Sequence, residues 1–269
     1  MTYNEANVTR FSGFADIYDQ YRPQPPAVAT ELLTQYADQG MPRLVVDLGS
    51  GTGLSTRIWV GRAREVIGIE PSADMRRAAE AHPTPAGDTV LHYRDGHSAA
   101  TGLPDGCADI VCCAQAFHWM EPTSTLTEVA RILRDGGIFA TLDCDWPPTI
   151  HWQADAAFRA LHHRVRDLEH QHHVYSSVKR WPKEQHLANI TASGHFRFTN
   201  EVLVHQVEPG SAARLTGLAL SFGSIEDLLK LGLSEEEIGI TTFRKTVMEV
   251  LGERTLPMYF SYRLRIGVK

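Results

Sequence analysis

The feature that most constrains this chain is the stretch 44–53, in which an apolar run ends in three glycines at alternate positions. An apolar run bounded by glycines is typical of a strand that is buried on both faces of a parallel sheet. Gly49, Gly51 and Gly53 let the backbone turn sharply and approach a ligand without a Cβ in the way. The residues from Leu54 onward favour a helix, so the sequence predicts a strand, a tight ligand-binding turn and a helix N-terminus.

The glycine spacing argues against two phosphate-binding motifs. A dinucleotide-binding turn needs a small residue at its sixth position, which here is Leu54 counted from Gly49 or Thr56 counted from Gly51. A Gly-Lys-Ser/Thr sequence is absent, which excludes a P-loop. Asp47 adds a carboxylate beside the turn and favours a ligand that carries a cation or an ammonium group.

A second acidic residue indicates a ribose. Residues 65–70 predict a second buried strand that ends in Glu70. A carboxylate at this position accepts hydrogen bonds from ribose hydroxyls in nucleoside-binding α/β sheets. The two strand ends therefore predict a nucleoside site without a phosphate.

Together with residues 103–105, 109–111 and 115–119, these motifs resemble those of the class I S-adenosylmethionine-dependent methyltransferases. Within that superfamily the chain resembles the small-molecule branch related to trans-aconitate and ubiquinone/menaquinone methyltransferases. The resemblance implies an α/β, Rossmann-like sheet, mostly parallel with an antiparallel C-terminal hairpin, and S-adenosyl-L-methionine as the cofactor. It divides the chain into an N-terminal lid with the first helix (1–40), a cofactor-binding core (41–146), a helical cap insertion (147–193), and C-terminal strands with an inserted helical segment (194–269).

The resemblance also predicts which residues hold the cofactor. Tyr21 and Arg22 belong to the segment that would fold over it as a lid, and Met75 would lie against the adenine. His97 stands where relatives often have an acidic or small hydroxyl residue. The predicted cofactor-binding set is Tyr21, Arg22, Asp47, Gly49, Ser50, Gly51, Gly53, Glu70, Pro71, Met75, Gly96, His97, Ser98, Gln115, Ala116 and Phe117.

The expected reaction is methyl transfer to a small organic acceptor, which depends mainly on alignment and on exclusion of water. A carboxylate acceptor is already ionised, whereas a hydroxyl or a carbon acid needs a base. His118 is the first candidate for a base because an imidazole titrates near neutral pH, and Tyr18 or Asp145 is the next. Trp119, Trp146 and Arg164 are expected to bind the acceptor. A protein that binds the cofactor without turnover is the alternative.

Composition limits the partners. The net charge is −6, and no block of lysines and arginines would follow a nucleic-acid backbone, so we expect no nucleic-acid partner. No stretch approaches the roughly 20 apolar residues of a membrane span, and the N-terminus lacks a signal-peptide pattern. We therefore expect a cytoplasmic protein without a membrane partner, whose oligomeric state is left open.

No metal is expected either. The four cysteines lack paired metal-ligand spacing, and the histidines within residues 162–173 match a zinc site poorly. A solvated helix surface or a basic pocket wall for an anionic substrate would explain these histidines.

Local patterns also predict several boundaries. Residues 123–133 predict an amphipathic helix that residues 134–137 close with a glycine cap, and residues 138–142 predict the fifth strand. Residues 211–251 are expected to be helical, and residues 257–268 alternate as a last strand.

Overall fold

The computed structural model describes residues 19–38, 40–83, 87–174 and 179–269. Within them one sheet has the strand order β3-β2-β1-β4-β5-β7-β6. Strands β1 to β5 are parallel, whereas β7 runs antiparallel to both β5 and β6. This confirms the predicted fold class, and the division into four segments stays a prediction. The strands are β1 Leu44–Leu48, β2 Glu65–Ile69, β3 Val90–Arg94, β4 Ala108–Ala114, β5 Leu133–Cys144, β6 Phe198–Gly210 and β7 Leu256–Val268.

Helices cover both faces of the sheet. Their starts follow the sequence: the Ser72 hydroxyl accepts the N–H of Met75 at the start of α3, and Glu121 caps α4 with Pro122 in its first turn. The α-helices of the described residues are α1 Ala27–Tyr36, α2 Leu54–Arg57, α3 Ala73–Ala81, α4 Pro122–Ile132, α5 Trp152–Gln171, α6 His186–Ala192, α7 Ala212–Leu220, α8 Gly223–Lys230, α9 Glu235–Ile238 and α10 Ile240–Leu251. Two 3₁₀ turns span Phe117–Trp119 and Lys183–Gln185.

The sheet separates two apolar clusters. Successive side chains of a strand point to opposite faces, so Val45 belongs to one cluster and Val46 to the other. The first cluster continues into α5, α7, α8 and α10, and the second lies against α4. Both clusters leave the carboxyl ends of the parallel strands free to form a site.

The structure corrects the predicted boundary between α4 and β5. The helix ends at Ile132 and the strand begins at Leu133, so residues 134–137 do not cap the helix. Gly136 N–H donates to the Lys269 carbonyl, and Lys269 N–H donates to the Gly137 carbonyl. These partners are distant in sequence, and the local glycine signal does not reveal them.

The helical stretch predicted for residues 211–251 is divided into α7, α8, α9 and α10. None of the helices in the described ranges combines the length and the apolar character needed to cross a bilayer.

We expect Glu128→Gln to lower the free energy of unfolding at neutral pH by about 1 to 3 kcal/mol. The buried Glu128 carboxylate accepts hydrogen bonds from the Arg131 guanidinium and from the N–H and hydroxyl of Thr101. Mainly through Arg131, these donors lower the pKa of Glu128 from 4.5 to about 2 against the opposing effect of burial. A carboxyl group with a lowered folded-state pKa stabilises the fold above pH 4.5, and this stabilisation is lost as the pH falls towards 2.

Urea unfolding between pH 7 and pH 2 measures this effect, and the variant should have the flatter profile. Glu249→Gln is the control, because Glu249 is exposed and its only ion pair among the described residues is a 3.9 Å contact with Lys245. Parallel acid profiles for Glu128→Gln and wild type would contradict the assignment.

Candidate functional site

A cavity of about 360 Å³ lies at the carboxyl ends of the parallel strands. It is lined by residues that directly follow three of them: Gly49 after β1, Glu70 after β2 and Gln115 after β4. The strand order reverses between β1 and β4, and open α/β sheets bind ligands outside such a point. The volume is within the range of small-ligand pockets.

The glycine turn forms one wall of the cavity. Gly49 has φ +67°, and its N–H donates to the Ile69 carbonyl at 2.8 Å. A Cβ at Gly49 would lie 2.7 Å from the Cβ of Ala116 and 2.9 Å from Cε of Met120. Glycine therefore meets both the conformation and the space that this turn requires.

Asp47 holds the turn from beneath. Its fully buried carboxylate accepts hydrogen bonds from the hydroxyls of Ser55 and Thr56, each at 2.7 Å, at the start of α2. Burial raises the pKa of Asp47 to about 6, although these hydroxyls oppose the shift. Asp47 does not line the cavity. The structure therefore corrects the prediction that Asp47 contacts a ligand, since its side chain supports the turn instead.

Glu70 does line the cavity. Its carboxylate accepts the N–H of Gly51 at 3.0 Å through Oε2 and the N–H of Ser72 at 2.9 Å through Oε1. Burial raises the pKa of Glu70, while these two N–H groups oppose it. A carboxylate oxygen accepts more than one hydrogen bond, so both oxygens retain capacity for a ligand.

Most of the predicted residues meet at this cavity. From the predicted cofactor-binding and substrate-binding sets, the lining includes Arg22, Gly49, Ser50, Gly51, Glu70, Pro71, Met75, His97, Ser98, Gln115, Ala116, Trp119 and Trp146. Met75, His97 and Ser98 lie on the same side as Glu70, beyond β2.

His118 and Phe117 are buried behind the wall of the cavity instead. Phe117 packs against Phe139 and His186, with ring centroids 5.6 and 4.9 Å apart. His118 is 5% exposed, and burial together with the charges of Lys183 and Arg180 holds its pKa well below its usual range. Because His118 does not line the cavity, the structure corrects its predicted role as a base that contacts substrate.

Arg164 does not line the cavity either, which corrects the prediction that it binds the acceptor. It is exposed on α5, and its Nε donates to the Glu237 carbonyl at 3.1 Å. Tyr21 packs beside Gly217 and, like Gly53 and Gly96, does not line the cavity. Tyr18 lies outside the described residues.

The histidine-rich helix contributes no cavity wall in the described structure. His163, His170, His172 and His173 are exposed, and His162 stacks on Phe158 with centroids 4.8 Å apart. Burial lowers the pKa of His162 to about 4. A search of the described residues finds no group of three His, Cys, Asp or Glu that could hold a metal ion.

The sequence predicted Arg22 and Trp146 as site residues on the far side of the cavity, which we call the acceptor end, but it did not indicate Cys144, Lys179, Trp181 or Tyr262 there. Its members come from the N-terminal segment, β5, β7 and the segment after residue 178: Arg22, Cys144, Trp146, Lys179, Trp181 and Tyr262. Cys144 pairs with Tyr262 across β5 and β7, and the Tyr262 hydroxyl donates to the Gln24 carbonyl at 3.0 Å. The alternating pattern of β7 predicted a strand, but it did not indicate that Tyr262 would pair with Cys144 of β5.

The cations of the acceptor end lie over aromatic rings. The Arg22 guanidinium is 4.0 Å from the ring centroid of Phe222 and 5.2 Å from that of Trp146, and Lys179 Nζ is 4.6 Å from that of Trp181. Arg22 also donates to the Ser221 carbonyl at 3.0 Å. Burial raises the pKa of Cys144 to about 12, so its thiol is neutral at pH 7. This end therefore combines aromatic walls with positive charge.

We expect Gly49→Ala to lower the melting temperature more than Gly61→Ala. Both glycines have positive φ, which costs a non-glycine residue about 1 to 2 kcal/mol. At Gly49 the new Cβ would also overlap Ala116 and Met120, whereas nothing lies within 4 Å of one at Gly61. Thermal unfolding followed by circular dichroism measures both variants. Equal melting temperatures would show that the turn moves freely away from Ala116.

The comparisons with known proteins agree with this geometry. A family model described as a methyltransferase domain matches residues 46–141, from β1 into β5. An uncharacterised methyltransferase of Mycobacterium tuberculosis is 35% identical over 127 residues, which are 47% of this chain and 49% of that protein. A probable S-adenosylmethionine-dependent methyltransferase of Saccharomyces cerevisiae is 30% identical over 126 residues, or 46% of this chain and 43% of that protein. The chain spans about half the length of the curated relatives it matches.

Solved structures show the same fold. A putative type II methyltransferase from Anaeromyxobacter dehalogenans superposes with a TM-score of 0.68, at 20% identity, over 92% of this chain and 98% of that one. At this identity the likeness concerns the fold. Residues 46–141 therefore match a methyltransferase domain, and the sheet has the fold of that methyltransferase structure.

Proposed function

We propose that this protein transfers a methyl group from S-adenosyl-L-methionine to a small organic acceptor. The observation that carries the proposal is the position of Glu70, a buried carboxylate that lines the cavity beside the glycine turn. A cavity of about 360 Å³ at the strand ends suits a nucleoside with a compact acceptor beside it.

The residues present fit this cofactor. Glu70 would accept hydrogen bonds from the ribose hydroxyls, and Met75, His97 and Ser98 would border the adenine. The backbone of the turn from Gly49 to Gly51 would contact the rest of the cofactor. A Cβ at Gly51 would meet nothing within 4 Å, so the space beside this backbone is open. The site has no cluster of lysines that would favour a polyphosphate, and among the described residues that line the cavity the cations are Arg22 and Lys179.

When bound, the cofactor supplies a methyl group on a positively charged sulfur. The protein aligns the acceptor with it and excludes water. Trp119, Trp146 and Trp181 provide apolar faces for both purposes, and aromatic faces attract cations. Positioning of this kind contributes about 7 to 11 kcal/mol to the lowering of a barrier. Arg22 would hold an acceptor that is already ionised.

Glu70→Gln tests the ribose contact. We expect it to weaken binding of S-adenosylhomocysteine by about 1 to 3 kcal/mol, because a charged hydrogen-bond acceptor is replaced by a neutral amide. Isothermal titration calorimetry measures the dissociation constant. Glu65→Gln is the matched control, because Glu65 begins β2, whereas Glu70 follows the last residue of that strand. Equal affinities for wild type and Glu70→Gln would remove Glu70 from the site.

Turnover separates an enzyme from a protein that only binds the cofactor. We expect purified protein, incubated with labelled S-adenosylmethionine and a panel of small carboxylic acids and phenols, to release S-adenosylhomocysteine. Binding of the cofactor without any release across the panel would favour the binding-only alternative.

A further inference from the structure

Gln115 lines the cavity and is held from behind by an ion pair between the partly buried Lys183 and the buried Asp143. Lys183 Nζ donates to Gln115 Oε1 at 2.5 Å and lies 3.1 Å from Asp143 Oδ1. Asp143 Oδ2 accepts hydrogen bonds from His186 Nδ1 at 3.0 Å and from Arg265 Nη1 at 2.9 Å. Lys183 does not line the cavity, so it acts on a ligand through Gln115.

The lysine fixes which end of the amide faces the ligand. An ammonium group has three donors and no acceptor, so the amide atom that faces Lys183 must be the oxygen. The amide nitrogen then points away from Lys183, with the Cys144 carbonyl 3.5 Å from Nε2. An amide nitrogen has two N–H groups, and this long contact uses at most one of them. Gln115 therefore offers the cavity a hydrogen-bond donor.

The backbone of Gln115 is restricted as well. Its φ is +53°, a left-handed conformation that is uncommon for a residue other than glycine. Its N–H donates to the Leu142 carbonyl at 2.9 Å, which ties the end of β4 to β5. Such strained residues persist where the surrounding structure holds them, and they cluster at ligand sites. The restricted backbone and the contact with Lys183 together define one direction for the amide.

Gln115 occupies the boundary between the two parts of the cavity. Glu70 lies two strands away, at the end of β2, and the acceptor end begins at Cys144, at the end of the neighbouring β5. The charged members of the acceptor end are Arg22 and Lys179, both positive. A donor at the edge of a positively charged pocket suits an anion whose charge is on oxygen.

We propose that Lys183 is a positioning residue that fixes Gln115 as a hydrogen-bond donor to a carboxylate or similar oxyanion at this boundary. The inference rests on the proposed function. The oxyanion belongs to the amino-acid part of the cofactor or to the methyl acceptor, and the donor is the same in both cases.

Four variants test the arrangement. Gln115→Glu keeps the shape and the contact with Lys183 but replaces the donor by a negatively charged acceptor. Lys183→Met removes the ammonium group and leaves Asp143 paired with His186 and Arg265. Lys183→Arg retains a cationic donor, and Lys245→Met removes an exposed lysine of α10 as the control.

The first measurement concerns the cofactor. Calorimetry compares S-adenosylhomocysteine with 5′-methylthioadenosine, which lacks the carboxylate. If the cofactor supplies the oxyanion, Gln115→Glu weakens binding of S-adenosylhomocysteine by about tenfold or more, the range of a charged hydrogen bond, and leaves 5′-methylthioadenosine unchanged. Lys183→Met lowers the affinity for S-adenosylhomocysteine by a smaller factor and also leaves that for 5′-methylthioadenosine unchanged. Lys183→Arg retains most of the wild-type affinity.

The second measurement concerns the acceptor. Ligand-observed NMR compares benzoate with benzylamine on protein saturated with S-adenosylhomocysteine. If the acceptor supplies the oxyanion, wild type binds benzoate in preference to benzylamine. Gln115→Glu and Lys183→Met then weaken the binding of benzoate by about tenfold and leave the affinity for S-adenosylhomocysteine unchanged.

Two results overturn the inference. If Gln115→Glu binds every probe as tightly as the wild type does, no oxyanion contacts the amide. Equal losses of S-adenosylhomocysteine and 5′-methylthioadenosine in Lys183→Met, without rescue by Lys183→Arg, would show that the lysine acts on the fold. Failure of the wild type to bind S-adenosylhomocysteine would instead overturn the proposed function.

Discussion

The site depends on two buried carboxylates that hold one glycine turn. Asp47 accepts the hydroxyls of Ser55 and Thr56 beneath the turn, and Glu70 accepts the N–H of Gly51 from the neighbouring strand. A buried carboxylate is costly unless it is hydrogen-bonded, so each one restricts the groups that surround it. The turn is thereby attached to β1, to β2 and to the start of α2, and its backbone is set before a ligand arrives.

A third carboxylate connects the acceptor end to the core. Asp143 lies on β5 and binds Lys183 and His186 from the segment before β6, together with Arg265 from β7. Burial by itself would raise the pKa of Asp143, but the hydrogen bond from His186 and the charge of Lys183 outweigh it and hold the pKa below its usual range. One charge cluster therefore holds the segment before β6 and strand β7 to β5.

The two parts of the cavity differ in how they are built. The part of the cavity around Glu70 follows β1, β2 and β3, whose order along the chain and parallel pairing bring Gly49, Glu70 and His97 to one edge. The acceptor end combines residues from positions 22 to 262 through antiparallel pairing and a charge cluster. Under the proposed function, the first arrangement would bind the cofactor and the second would select the acceptor.

The sequence by itself determined the α/β fold, the glycine turn at Gly49 and the position of the Glu70 carboxylate beside that turn, because these depend on local strand and turn chemistry and on the shared edge of a parallel sheet. Tertiary structure decided that His118 is buried, that Arg164 contacts Glu237 instead of lining the cavity, and that Tyr262 and Cys144 meet at the cavity. A side chain's distance from a site depends on strand register and on helix packing between residues far apart in sequence. No local pattern encodes those contacts, so the chemistry of the acceptor end became visible only in the folded chain.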